Sequence, residues 1–215
     1  IVIQWRWSLN YRDTLYGLVR MVGQLLAVGY VLVFLFESDN PIVISTVLLI
    51  MIAITTWIAL RPLDQSRPGL YWIALLSITA GCVPVLILAT QLVIDVEPWY
   101  APHYLIPLAG MIFANSMNPL SIAGERYQAE LDHGHSHGKA RYIAMQTAMI
   151  PLVNSLMAVG LVSLPGMMTG QVLSGVSPLI AARYQILVMC MLFAASGISA
   201  ACFLTLWMRR SQRSS

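Results

Sequence analysis

The feature that most constrains this chain is a series of apolar runs, each about as long as a bilayer is thick. Residues 15–36, 41–60, 71–94, 105–123 and 184–208 are almost free of charge, and a hydrocarbon core of about 30 Å needs roughly 20 such residues in a helix. A sixth run, 148–164, is shorter and continues into the apolar, glycine-containing stretch 165–176. Only 10% of the 215 residues are charged and 58% are hydrophobic, whereas a soluble domain carries about a quarter charged residues. Lipid must therefore solvate much of the surface. The runs lack the two-residue alternation of an outer-membrane barrel, so the expected fold is an all-α integral membrane protein, a polytopic bundle of about six spans. Ile1-Val2-Ile3 with Trp5 and Trp7 looks like the tail of an earlier helix, which would make seven spans in a longer chain. One transmembrane domain, residues 1–215, is expected, because the longest polar insert, 124–147, falls below the ~40 residues at which small domains usually need staples.

Charge between the runs alternates. Arg6 and Arg12, Arg61 and Arg67, Arg126, Lys139 and Arg141, and Arg209, Arg210 and Arg213 fill every second gap and so share one side, opposite Glu37, Asp39, Asp95, Glu97 and the lone Arg183. Basic loops stay in the cytoplasm, which places Arg12, Arg61, Lys139 and Arg213 inside and Glu37, Trp99 and Gly175 outside. Tyr71, Trp72, Trp99, Tyr100, Tyr104 and Trp207 sit near the ends of runs, where an aromatic belt belongs. A net charge of +3 is too small to suggest nucleic acid. Cys82, Cys190 and Cys202 lie within apolar runs in no C-x-x-C spacing, which reads as packing rather than a disulfide framework or zinc site.

Three features could carry chemistry. The first is the polar segment 124–147, GERYQAELDHGHSHGKARYIAMQT. Gly134 and Gly138 should break it into two short helical pieces lying flat on the membrane, and Glu125, Arg126, Glu130, Lys139 and Arg141 make it either a solvated loop or a docking element that takes force from a cytoplasmic partner. Within it, His133, His135 and His137 would share one face of an extended chain and could hold Zn²⁺, Cu²⁺ or Ni²⁺; in a helix only His133 and His137 would meet, and a flexible polar turn is the plainer alternative.

The second is 160–171, with Ser163, Pro165, Gly166, Met167, Met168, Gly170 and Gln171. Pro165 interrupts a helical ladder and the glycines tolerate unusual backbone. Broken backbone survives in lipid only against protein or a water-filled cavity, so a re-entrant or gate element is expected near the outer face; the two methionines are either packing or soft metal contacts. The third is polarity within the runs. Arg20 and Gln24 share a face, Asn115, Ser116 and Asn118 cluster, and Asn154 adjoins Ser155. Arg20 is placed to snorkel, while Asn115 and Asn154 are candidates for a pathway or for interhelical hydrogen bonds. With no acid inside a run, a proton- or sodium-coupled carrier is disfavoured.

LIPLAGMIFANSM (105–117), IPLVNSLMAVGLVSLPGMMTGQVLSGVSP (150–178) and AARYQI (181–186) resemble the FetB family of ABC-type permeases, bacterial iron-export proteins with plant aluminium-tolerance relatives. GLVSLPGMMTG (160–170) is the most specific stretch. The resemblance implies a multi-pass subunit of the bacterial inner membrane, a homodimer working with a separate FetA-like nucleotide-binding subunit. ATP and Mg would bind that partner, consistent with the lack of a Walker A motif here, and this chain would be a transport subunit with no catalytic residue or cofactor. By resemblance, 125–144 would hold the coupling helix, although the compact HGHSHG (133–138) departs from the longer turn of better-known members. A UDP-sugar or other small-solute permease, a secondary divalent-metal transporter with a His-rich loop, and a non-transporting scaffold are the alternative functions.

Overall fold

The computed structural model describes residues 11–38, 40–63 and 67–214. The expected tail of an earlier helix at 1–7 lies outside the described residues, as does Asp39. Among the described residues seven α-helices follow one another: α1 (Tyr11–Phe36), α2 (Pro41–Ala59), α3 (Arg67–Ile87, continued by the π-helical Leu88–Val93), α4 (Pro102–Asp132), α5 (His137–Ala158), α6 (Gly166–Leu173) and α7 (Pro178–Ser214). No strand forms among the described residues; the one isolated bridge joins Val159 and Ser163. The all-α, polytopic expectation stands.

The chain divides into two compact units after Ile44. The first holds α1, a 26-residue helix about 39 Å long at 1.5 Å per residue, and the start of α2. There Asn40 caps the new helix, its side-chain oxygen accepting from the Ile42 amide at 2.9 Å, with Pro41 in the first helical position, where a missing N–H costs nothing. Pro102 and Pro178 open α4 and α7 in the same way.

The second unit, 45–215, is built around α3, α4 and α7. Ala74, Ile78 and Cys82 of α3 recur at helical spacing and are fully buried, as are Ala109, Ile112, Ser116, Leu120 and Ala123 of α4. Close approach depends on small residues. A Cβ placed on Gly81 would collide with Ser199 Oγ and lie 2.8 Å from the Ala195 carbonyl oxygen, so α3 and α7 cross almost backbone to backbone, as membrane helices do where van der Waals contact replaces hydrophobic drive. Cys82 Sγ donates to Ser116 Oγ at 3.3 Å and lies 3.7 Å from Ser199 Oγ, tying the three helices together. Hydroxyls elsewhere satisfy themselves on the backbone: Thr56 and Thr90 donate to carbonyls four residues back, and Ser121 donates to the Ala59 carbonyl of α2 at 2.6 Å.

Five described helices are long and apolar enough to cross a membrane: Thr14–Phe36, Pro41–Ala59, Gly69–Val93, Pro102–Asp132 and Pro178–Gln212. The sixth crossing expected at 148–164 takes another form. Its helix, α5, is His137–Ala158, shifted toward the polar segment and not apolar enough to join those five. Packing nonetheless fixes its course. Tyr127 near the end of α4 stacks on Trp207 near the end of α7 with ring centroids 5.0 Å apart, so those two helices run in the same direction. The chain must return between them, and α5, about 33 Å long, makes that return. Its Ala140, Ala144 and Ala148 are fully buried, a small-residue stripe that suits close packing. Arg126, Lys139, Arg141, Arg209 and Arg210 thereby gather at one end of this unit and Arg183 lies at the other.

Candidate functional site

The basic end is organised by the hairpin between α4 and α5. The polar segment is not a separate helical pair lying flat: α4 runs unbroken for 31 residues, about 46 Å, so its last turns continue beyond the apolar part that ends at Ala123. Gly134 (φ +79°) ends the helix. Its amide bonds the Leu131 carbonyl and the His135 amide bonds that of Glu130, the paired closure of a left-handed C-cap. Ser136 caps α5 through the Lys139 amide. Gly138 breaks nothing; it lies in the first turn of α5.

Glu130 is the hub of the tip. Its carboxylate receives Arg126 Nη2 at 2.5 Å and the Nδ1–H of His135 at 2.5 Å. The His135 hydrogen bond, then the Arg126 charge, hold this carboxyl below its usual range. Tyr127 is fully buried, and its hydroxyl pairs with His137 Nδ1 at 2.9 Å. One turn earlier, a Cβ on Gly124 would meet Leu63 at 2.7 Å and Phe203 at 3.1 Å. The tip is thus keyed into the end of α7 by the aromatic stack of Tyr127, Trp207 and Phe203. Glu125, Lys139 and Arg141 are exposed around it.

The three histidines do not converge. His133 donates from Nδ1 to the Ala129 carbonyl at 2.6 Å, His135 holds Glu130, and His137 holds Tyr127. An extended chain would have aligned them, but His133 caps one helix and His137 opens the next. Among the described residues no three His, Cys, Asp or Glu side chains come together as a metal site, so the H-x-H-x-H reading loses its geometric basis.

Asn115 and Asn154 are also separated. Asn115 lines a cleft of about 130 Å³ between α4, α5 and α7, together with Asn118, Pro119, Pro151, Ser155 and Met189. Asn154 faces a different groove, of about 620 Å³, on the outer side of α5 with Tyr142, Gln146 and Met149. Sequence reasoning missed the two prolines. Each removes an N–H from its helix interior, so the carbonyls four residues back, at Asn115 and Thr147, lose their usual intrahelical donors.

The expected gate at 160–171 takes the form of a tight reversal followed by a short helix. Gly160 (φ +81°) turns the chain and its amide bonds the Ser163 carbonyl at 2.9 Å. Pro165 is the N-cap of α6, so Gly166, Met167, Met168, Gly170 and Gln171 are helical rather than irregular. Gly175 closes α6 as Gly134 closes α4, with its amide on the Val172 carbonyl. Leu161 and Val162 at the reversal are exposed, and the Gln171 Oε1 atom is buried without a hydrogen-bond partner. Met167 and Met168 are half-buried.

Comparison with known proteins agrees with this architecture. The family model described as "Uncharacterised protein family (UPF0014)" matches residues 1–141 and 136–211. The chain is 38% identical to the UPF0014 membrane protein slr1647 of Synechocystis, over 92% of this chain and 82% of that one. It is 32% identical to the probable iron export permease protein FetB of Escherichia coli, over 90% and 80%, and 31% identical to the protein ALUMINUM SENSITIVE 3 of Arabidopsis thaliana, over 87% and 72%. No solved structure matches. An all-helical chain with five strongly apolar spans, related to these proteins along nearly its whole length, belongs to the UPF0014 family of membrane proteins.

Proposed function

We propose that this chain is the permease subunit of an ABC-type transporter that exports iron or a related metal from the cytoplasm across a bacterial inner membrane. The similarity to a probable iron export permease over 90% of the chain carries the reading. The chain works as a homodimer with a separate nucleotide-binding subunit, which binds ATP and Mg and performs the hydrolysis. Two arrangements support this. The α4–α5 tip projects past the apolar part of the bundle with exposed Glu125, Arg126, Lys139 and Arg141, and the Tyr127–Trp207 stack links any push on it to α7. The outer groove of α5, with Gln146 and Asn154 among apolar side chains, is a surface that lipid solvates poorly and that a second copy would cover. The gate belongs to 163–171, where an eight-residue helix leans on α7 and open space faces the positions a Cβ would take on Gly166 and Gly170.

The deciding measurement is metal accumulation in cells with and without the gene. Loss of an iron exporter raises cellular iron under iron load, and unchanged iron would end the assignment. For the coupling, the permease purified under mild conditions should bring an ATPase whose turnover rises with substrate; if none co-purifies, the ABC mechanism fails.

A further inference from the structure

The cleft between α4, α5 and α7 has a chemistry of its own. None of the side chains lining it is ionisable. Its polar groups are the amides of Asn115 and Asn118 and the hydroxyl of Ser155, with the Met189 thioether nearby. One N–H of Asn115 Nδ2 is donated to the Met111 carbonyl at 2.9 Å, which leaves Asn115 its Oδ1 and a second N–H. Pro119 deprives the Asn115 backbone carbonyl of its usual donor. The cleft therefore offers uncharged oxygen acceptors beside amide and hydroxyl donors, and a cavity of about 130 Å³ holds several waters, since one needs roughly 10–15 Å³.

A bare first-row cation is poorly served here. Its dehydration is repaid by carboxylate, imidazole or thiolate ligands, and the cleft supplies none. A cation that keeps its waters is served well, because coordinated water is a polarised donor and neutral oxygens accept from it through charge-assisted hydrogen bonds. Such a hold also releases easily, as conduction requires. We infer that this cleft binds its metal as a hydrated cation, through hydrogen bonds from metal-bound water to Asn115, Asn118 and Ser155, without direct protein ligation. The inference rests on the metal-transport reading and names the form in which the substrate is held.

Hexaamminecobalt(III) separates the two modes, since its ammine ligands donate hydrogen bonds but do not exchange. Permease in nanodiscs would be titrated anaerobically with ferrous ion at physiological salt, alone and against the cobalt complex. The complex should displace ferrous ion, and Mn²⁺ and Co²⁺ should bind within a few-fold of Fe²⁺ instead of climbing the usual ligand-affinity order. Asn118→Leu should weaken binding by about tenfold or more, as loss of a hydrogen bond to a charged group does. Ser155→Ala, a smaller change at an exposed position, should weaken it less without touching the fold. Ferrous binding that the complex leaves intact, a steep rise from Mn²⁺ to Co²⁺, equal displacement by uncharged glucose, or no binding at all would each overturn the inference. If cellular iron still depends on the gene in those cases, the transport reading survives and only the hydrated mode falls.

Discussion

At the scale of single residues, the strongest constraint is Gly81. The atoms that a Cβ would strike there include the Ser199 backbone nitrogen at 2.7 Å, which cannot swing aside. Gly81→Ala should lower stability by about 1–3 kcal/mol or more, the range for overpacking, whereas Gly110→Ala, facing only the flexible end of Met51 at 3.4 Å, should cost little. Thermal unfolding in detergent compares the two. Tyr127 separates two contributions. Tyr127→Phe removes only the His137 hydrogen bond, about 0.5–1.5 kcal/mol, while Tyr127→Ala also empties the space beside Trp207 and should cost about 3–5 kcal/mol. Glu130 adds a pH dependence of definite sign. Its carboxyl is held below the ordinary value of about 4.3 in the folded chain, so its contribution is complete above that pH and disappears as pH falls through the lowered folded value. Amide exchange at Gly134 and His135 should quicken over that acid window in the native protein and lose the step in Glu130→Gln.

At the scale of elements, the two glycines of the HGHSHG turn behave oppositely. Gly134 has φ +79°, while Gly138 is helical and has nothing within 4 Å of the place where a methyl group would sit. Gly134→Ala should cost about 1–2 kcal/mol for a left-handed backbone, and Gly138→Ala should stabilise by about 0.4–1 kcal/mol, both read as shifts in melting temperature. The sequence treats them alike because a breaker and a tolerated helical glycine have the same side chain; only the capping bonds tell them apart. Apolar runs translated directly into α1 to α4 and α7, since their length and composition leave one solution in lipid. The α5 helix was misplaced because its burial comes from Ala140, Ala144 and Ala148, which hydropathy barely registers. The histidine motif misled for a related reason: spacing carries ligand geometry only when the backbone is regular, and here three residues sit in three conformations.

At the scale of the molecule, the proposed coupling makes the tip and the bundle separable. Lys139→Glu, at an exposed position of α5, should reduce ATPase co-purification while leaving the melting temperature unchanged; a merely solvated loop would leave both unchanged. The polarity within the apolar runs was legible as a set of residues, Asn115, Asn118, Asn154 and Ser155, but not as a site. Which of them meet depends on the rotation of α5, and that follows from the alanine stripe packing against its neighbours.

The modest apolarity of α5 has a consequence for biogenesis. A segment with His137, Lys139, Arg141, Gln146 and Asn154 gains little by entering lipid alone, so insertion machinery has weak grounds to release it sideways until α4 is beside it. The turn at Gly134, which sets that pairing, then matters during synthesis as well as in the folded bundle.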